Sequence, residues 1–181
     1  MIEFRWHGRG GQGAVTSVEL LALAAIGEGK YAQGFPSFGP ERRGAPVAAF
    51  NRVDSERIRI RSGVYRPDVV VVLDEGLIGL VNLTDGLKED GVLIVNTSKK
   101  ATDVMKILNY SGAIATVDAT SIAWKELGVP ITNTTMLGAV VKVTNVVGLG
   151  ALDVPVGNRF GKIAVKNITA MKQAFKEVKI R

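Results

Sequence analysis

The chain has no cysteine and only one histidine, His7, among 181 residues. Without thiolates it forms no disulfide and offers no ligand set for zinc or an iron–sulfur cluster, and one imidazole does not make a histidine metal site. Any redox centre that the chain works with is therefore expected on another chain. No apolar run approaches the ~18 residues that a membrane span needs, and the N-terminus enters a strand directly, without a basic segment and an apolar signal core. The expectation is a cytoplasmic protein with no membrane association. Nothing in the sequence forms a nucleophilic triad, a carboxylate pair of defined spacing or a metal cage.

What is present is apolar content of 46%, enough for one domain, residues 1–181, to bury a full core. There is no internal repeat, low-complexity tract or dividing linker. The formal charge of +6 raises the question of nucleic acid, since clustered Lys and Arg neutralise phosphates. The excess is spread, however, over Arg42-Arg43, Arg57-Ile-Arg-Ile-Arg61, Lys99-Lys100 and a tail of Lys172, Lys176, Lys179 and Arg181. No recognition motif accompanies it. The surplus reads as a solvated face or a contact surface for an acidic partner, and not as a nucleic-acid site.

Val69–Leu73 and Val92–Val95 are apolar without alternation, the pattern of central strands covered on both faces, and Ile114–Val117 is a third such run. These predict an α/β fold with a mainly parallel central sheet flanked by helices. Asp118-Ala-Thr-Ser121 starts a helix that Gly128-Val-Pro130 stops. Pro46–Phe50 and Ile58–Arg61 alternate around a polar turn and predict an antiparallel hairpin added to the sheet. Asn133-Thr-Thr135 caps a helix whose Met136–Val147 stretch is apolar nearly all round, and the helix from Ala14 has the same character. Two such helices exceed what one domain of this size usually buries, which points to partner chains. Ile168–Val178 is ordinarily amphipathic.

The residues Gly8-Arg-Gly-Gly-Gln-Gly13 lie between the alternating run Ile2–His7 and the helix from Ala14. Gly8, Gly10 and Gly13 have the spacing G-x-G-x-x-G in a strand-to-helix context, where backbone N–H groups approach an anion and the helix N-terminus adds positive potential. The same spacing also serves a tight turn that binds nothing. A dinucleotide fold would continue into a second strand ending in Asp or Glu ~20 residues later. This chain continues instead into Lys30–Gly44, read as a long loop rich in glycine, proline and aromatics and ending in Arg42 and Arg43, whose guanidinium groups suit phosphate or an inter-subunit carboxylate. His7 stands beside the glycine loop, as a ligand contact or a structural residue. Asp74 and Glu75 follow the strand at Val69, where open α/β sheets place ligands, and they equally suit a helix cap.

Gly8-Arg-Gly-Gly-Gln-Gly-Ala-Val15, Tyr31-Ala-Gln-Gly-Phe-Pro-Ser-Phe-Gly-Pro-Glu-Arg-Arg-Gly-Ala-Pro46, Arg66-Pro-Asp68 and Asn133-Thr-Thr-Met-Leu-Gly138 together resemble the gamma subunit of 2-oxoacid:ferredoxin oxidoreductases, most closely the pyruvate and ketoisovalerate branch. The resemblance spans nearly the whole chain. It implies an enzyme that oxidatively decarboxylates a 2-oxoacid on thiamine diphosphate, passes electrons through iron–sulfur clusters to ferredoxin and transfers the acyl group to coenzyme A. The chain lacks a Gly-Asp-Gly thiamine signature as well as cysteine, so the resemblance assigns thiamine diphosphate and clusters to alpha, beta and delta type chains. It leaves this subunit to cover the active site and help bind coenzyme A. It also turns the glycine loop and the Ser37–Gly44 loop toward that site, which makes Gly8, Gly10, Gly11, Gln12, Gly13, Ser37, Arg42 and Arg43 the candidate binding residues, with no catalytic residue on this chain. The competing reading is a free-standing nucleotide-binding oxidoreductase built on the glycine loop.

Overall fold

The computed structural model describes residues 1–37 and 43–181. Its strands are β1 (Ile2–Arg9), β2 (Tyr31–Pro36), β3 (Pro46–Asp54), β4 (Val69–Val72), β5 (Val92–Asn96), β6 (Ala113–Val117) and β7 (Lys179–Ile180). They form one sheet in the order β2-β3-β1-β4-β5-β6-β7. The four strands β1, β4, β5 and β6 run parallel, in a register that places Trp6 beside Val71, Val71 beside Ile94 and Ile94 beside Ala115. Antiparallel pairing adds β3 and β2 at one edge and the short β7 at the other.

The uninterrupted valines of β4 are explained by this arrangement. Val69 and Val71 join a core with Phe4, Trp6, Ile94 and Ala115, while Val70 and Val72 join a separate core on the opposite face with Leu93, Val95 and Ile114. A strand apolar on both sides is stable only where both sides are covered. The first face carries α1 (Ala14–Gly27), α3 (Ala119–Leu127), α4 (Asn133–Thr144), α5 (Asp153–Phe160) and α6 (Ala164–Glu177). The second carries α2 (Ala101–Leu108) and the segment containing Leu77 and Leu83.

Asp118 caps α3 by accepting from the Ser121 N–H at 2.9 Å, and Gly128 ends it in a left-handed conformation, φ 76°. Thr132 precedes α4, which starts three residues before the expected Met136 and ends at Asn145, φ 50°. The last helix starts at Ala164, a full turn before the expected Ile168. Every residue from Asn133 to Val141 is buried, and this burial is achieved within the chain. Gly138 lets α4 approach α6 so closely that a Cβ there would collide with the Met171 carbonyl. The sequence argument that an all-round apolar helix requires a partner chain therefore does not hold for α4. On α1 the buried arc is wide, including Val18, Leu20, Leu21, Ala24 and Ala25, while Leu23 and Ile26 are 53% exposed.

The antiparallel addition is present but its strands differ from those expected. Pro46–Asp54 pairs with Tyr31–Pro36, a segment read from sequence as loop, and Ile58–Arg61 joins no ladder. The reason is geometric: β3 is already bonded on both sides, to β1 and to β2, so no lane beside it remains. Gly34 and Pro36 disguised β2. Gly34 is needed because the Val18 carbonyl lies 2.9 Å from where a Cβ would stand, and Pro36 sits at the strand end, where a missing donor costs least. Among the described residues no helix is long and apolar enough to cross a membrane.

Candidate functional site

The carboxyl ends of β1, β4, β5 and β6 lie side by side, and the glycine loop closes the first of them. The loop is a tight turn in which the Gln12 N–H donates to the Arg9 carbonyl at 2.9 Å. Gly11 and Gly13 have φ of 96° and 81°, the left-handed region that favours glycine. At Gly13 a side chain would also run into Asn133, at the start of α4. The loop is bonded to the chain leaving the 38–42 region: Gly10 N–H to Ala45 O, 2.9 Å, and Gly44 N–H to Gly10 O, 3.0 Å.

Side chains fix the loop to the end of β4. The Gln12 carbonyl oxygen accepts from the Arg9 N–H at 2.7 Å, while Gln12 Nε2 donates to Asp74 Oδ2 at 2.7 Å. Arg9 Nε donates to the same oxygen at 3.0 Å, and its two terminal nitrogens reach the carbonyls of Gly44 and Gly76, each at 3.2 Å. Asp74 also caps the 3₁₀ turn that follows it, accepting from the Gly76 N–H at 2.7 Å. Burial raises the Asp74 carboxyl, but the bonds from Gln12 and Gly76 and the Arg9 charge outweigh it and leave the group below its ordinary value.

Two clefts flank this junction. One, of about 600 Å³, is lined by Arg9, Gly10, Gly11, Gly13, Val15 and Arg43, among others. It opens onto the start of α1, whose first-turn N–H groups have no side-chain cap and no acidic neighbour. The exposed Arg43 extends its stem past Gly11, with Cγ 3.9 Å from the position of a Cβ there. The Arg43 guanidinium and the open helix start favour an anion, while the charge of Arg9 is already balanced by Asp74. The other cleft, of about 470 Å³, is lined by Gln12, Asp74, Glu75, Asn96, Thr97 and Asp118, among others. Its polar groups are largely engaged: Thr97 Oγ1 donates to Glu75 at 2.6 Å, and Asn96 bridges the Leu73 carbonyl at 2.8 Å and Thr120 Oγ1 at 2.9 Å. Hydrogen bonds from Thr97 and Lys99 hold Glu75 below the ordinary carboxylate range. Its carboxylates favour hydroxyl groups over phosphate.

Of the residues singled out in the sequence, the structure brings Gly10, Gly11, Gly13 and Arg43 to the cationic cleft. Gln12 turns to Asp74 and the acidic cleft. Gly8 is buried within β1, with Leu73 Cδ1 3.3 Å and Gln12 Oε1 3.5 Å from where its Cβ would lie, and it lines neither cleft. The Ser37 N–H extends the β2–β3 ladder to the Ala48 carbonyl at 2.9 Å. Arg42 lies outside the described residues. His7 lies on β1 with Nε2 buried and, among the described residues, without a partner. Burial, followed by the charge of Arg5, lowers it to about 4. Sequence reasoning missed Arg9, the hub of the junction; its position two residues after the strand's only histidine, inside the glycine motif, was the available signal. Among the described residues no group of three or more His, Asp or Glu side chains could hold a metal.

The topology separates this site from a dinucleotide fold. There α1 leads to a second parallel strand beside β1; here the neighbours of β1 are β4 and the antiparallel β3. Comparison with known proteins agrees. The chain is 52% identical to the pyruvate/ketoisovalerate oxidoreductases common subunit gamma of Pyrococcus abyssi, over 99% of this chain and 98% of that protein. It is also 52% identical to the pyruvate synthase subunit PorC of Methanothermobacter marburgensis, over 99% and 98% respectively. The crystal structure of pyruvate oxidoreductase subunit PORC from Thermotoga maritima superposes with a TM-score of 0.89 at 43% identity, covering 99% of this chain and 97% of that one. The family model described as pyruvate ferredoxin/flavodoxin oxidoreductase matches residues 3–177, and the chain belongs to that family.

Proposed function

We propose that the chain is the gamma subunit of a pyruvate-type 2-oxoacid:ferredoxin oxidoreductase, that it covers the active site of the assembled enzyme and that its cationic cleft receives phosphate groups of coenzyme A. Gamma-subunit relatives about half identical along the whole length support the first part. The observation that carries the last is Arg43 standing with the uncapped start of α1 and the glycine loop around one cleft. On this reading thiamine diphosphate and iron–sulfur clusters belong to alpha, beta and delta type partners, and for the clusters the reading is supported by the absence of cysteine, the usual cluster donor, from this chain. Ferredoxin accepts electrons through those partners, in the cytoplasm. The residues contacting coenzyme A are Gly11 and Gly13 through their backbone, Arg43, and Arg42 from beyond the described residues, while Gly10, its N–H engaged by the Ala45 carbonyl, lines the cleft.

Steady-state kinetics of the reconstituted complex test this, with coenzyme A and the 2-oxoacid varied separately and a viologen as acceptor. Losing a hydrogen bond to a charged group costs about 1.5 to 3 kcal/mol, so Arg43→Ala weakens coenzyme A roughly 10- to 150-fold while the 2-oxoacid dependence moves far less. Arg43→Lys recovers part of the loss, keeping the charge without the planar fork. An unchanged coenzyme A dependence in Arg42→Ala, Arg43→Ala and the double variant, in correctly assembled complexes, leaves these arginines as inter-subunit salt-bridge residues.

A further inference from the structure

The second face of the sheet is covered only in part. Paired strands place Arg5 beside Phe50 and Glu3 beside Arg52, and Phe50 lies beside Phe35 of β2. These residues share the face of Val70, because Arg5 pairs with Val70 across β1 and β4. On that face α2 and the segment around Leu77 cover β4, β5 and β6, whereas no described helix lies over β2 and β3. Phe35 and Phe50 remain half-buried there, ring centroids 5.4 Å apart.

A strap of irregular chain, residues 55–63, borders this open area. Two sheet side chains tie it down by its carbonyls: Gln33 Nε2 donates to Ile60 O at 3.2 Å and Arg52 Nη2 to Gly63 O at 3.1 Å. Arg52 is itself 1% exposed, paired with Glu3 at 2.8 Å and stacked 5.4 Å from the Phe35 ring, so the anchor is firm. Between strap and sheet runs a groove of about 840 Å³, into which Arg57, Arg59 and Arg61 open. All three are exposed, and among the described residues none has a carboxylate within salt-bridge distance. Of the carboxylates on this part of the face, Glu3 is engaged by Arg52 at 2.8 Å and Asp54 by the N-terminal ammonium at 3.4 Å.

We propose that this groove docks an acidic, extended segment of a neighbouring subunit, its carboxylates paired with Arg57, Arg59 and Arg61 and an apolar side chain set on Phe35. Three like charges held close together on an anchored strap repel one another unless an anionic partner neutralises them. Guanidinium groups beside half-buried aromatics are also the composition of interface centres. The inference rests on the reading of the chain as a subunit of a larger enzyme.

The test uses the co-expressed complex with a tag on this chain. The wild-type chain retains its partners, with an affinity that falls as salt rises. The variant Arg57→Glu/Arg59→Glu/Arg61→Glu loses affinity about tenfold or more and most of that salt dependence, while its melting temperature is preserved because the three side chains are exposed. Lys172→Glu/Lys176→Glu, on α6, serves as the charge control and leaves affinity unchanged. A photo-crosslinker in place of Ile60 adds an independent readout and captures a peptide rich in Asp and Glu from a partner chain. Wild-type-like affinity and salt slope in the triple variant, or a captured peptide without acidic residues, overturns the groove. A wild-type chain that retains no partner at all overturns the subunit reading together with it.

Discussion

Arg9 and Asp74 meet at 3.0 Å on the wall between the cationic and the acidic cleft, and Gln12 shares the same carboxylate oxygen. One oxygen thus sets the position of the glycine loop relative to β4. Replacing Asp74 by Ala strands three donors, Arg9 Nε, Gln12 Nε2 and the Gly76 N–H, one of them charged. The expected cost is about 1.5 to 3 kcal/mol, toward the lower end because both side chains are partly exposed and screened. Urea unfolding measures it, and the amides of Gly10, Gly11 and Gly13 exchange faster in the variant. Because the folded carboxyl lies below its ordinary value, its stabilisation is present above the unfolded Asp range and is lost as pH falls through the depressed value. Asp74→Asn lacks that acid-side loss and keeps the bond to the Gly76 N–H. Unaltered exchange in Asp74→Ala removes Asp74 as the anchor of the loop.

Two glycines of the loop separate conformational strain from collision. Gly11 has φ 96° and a Cβ there would meet only Arg43 Cγ at an ordinary contact distance of 3.9 Å, so Gly11→Ala costs little beyond the left-handed penalty, about 1 to 2 kcal/mol. Gly13 has φ 81° and the Asn133 side chain against it. Gly13→Ala therefore costs more than Gly11→Ala, by roughly a further 1 to 3 kcal/mol, and Asn133→Ala in the same chain returns much of the difference. Paired melting curves of the two single variants and the double variant decide it. Equal costs at the two positions contradict the contact.

At Gly138 the obstacle is backbone. A methyl group would meet the Met171 carbonyl of α6, and a carbonyl inside a hydrogen-bonded helix moves only with the helix. Gly138→Ala, helix-favouring by propensity, is expected to destabilise by about 3 kcal/mol or more, reversing the ordinary sign of a Gly-to-Ala change in a helix. A gain in denaturant midpoint rules out the close crossing of α4 and α6.

The parallel half of the sheet was legible because Val69–Leu73, Val92–Val95 and Ile114–Val117 declare burial on both faces, and α3 because Asp118 and Gly128 mark its ends. The antiparallel half was misread because β2 contains the glycine that α1 requires and ends in proline, while Ile58–Arg61 alternates for a different reason, as an anchored strap. Helix α2 was overlooked although Ala101, Val104, Met105 and Leu108 follow the i, i+3, i+4, i+7 pattern: it is only eight residues long, and Lys100 ahead of it offers no side-chain cap to mark its start. In the site, the glycine spacing was legible because it is local. The Arg9–Asp74–Gln12 junction was not, since it joins residues about 62 to 65 positions apart that only the sheet brings together.

His7 supplies the sharpest pH dependence. Its Nε2 is buried without a partner among the described residues, and Arg5, two residues away on the same face of β1, adds like charge. Burial first and Arg5 second lower it from the ordinary 6.5 to about 4. The unfolded chain therefore binds this proton at a higher pH than the folded chain does. Stability is complete above pH 6.5 and declines as pH falls toward about 4, by roughly 3 kcal/mol in all. Other carboxylates titrate in the lower part of this window, so the test is a difference: urea midpoints from pH 4 to 7.5 for the wild type and for His7→Gln, which has nothing to protonate. The wild type loses stability relative to the variant as the solution is acidified, with most of the change between pH 6.5 and 4.5. Removing the charge of the neighbour, as in Arg5→Met, is expected to shift the loss to lower intensity while leaving its direction, since burial is the larger cause. A wild-type-minus-variant difference that stays flat across the range means that His7 accepts a proton as easily in the folded chain as in the unfolded one, and that its imidazole reaches water.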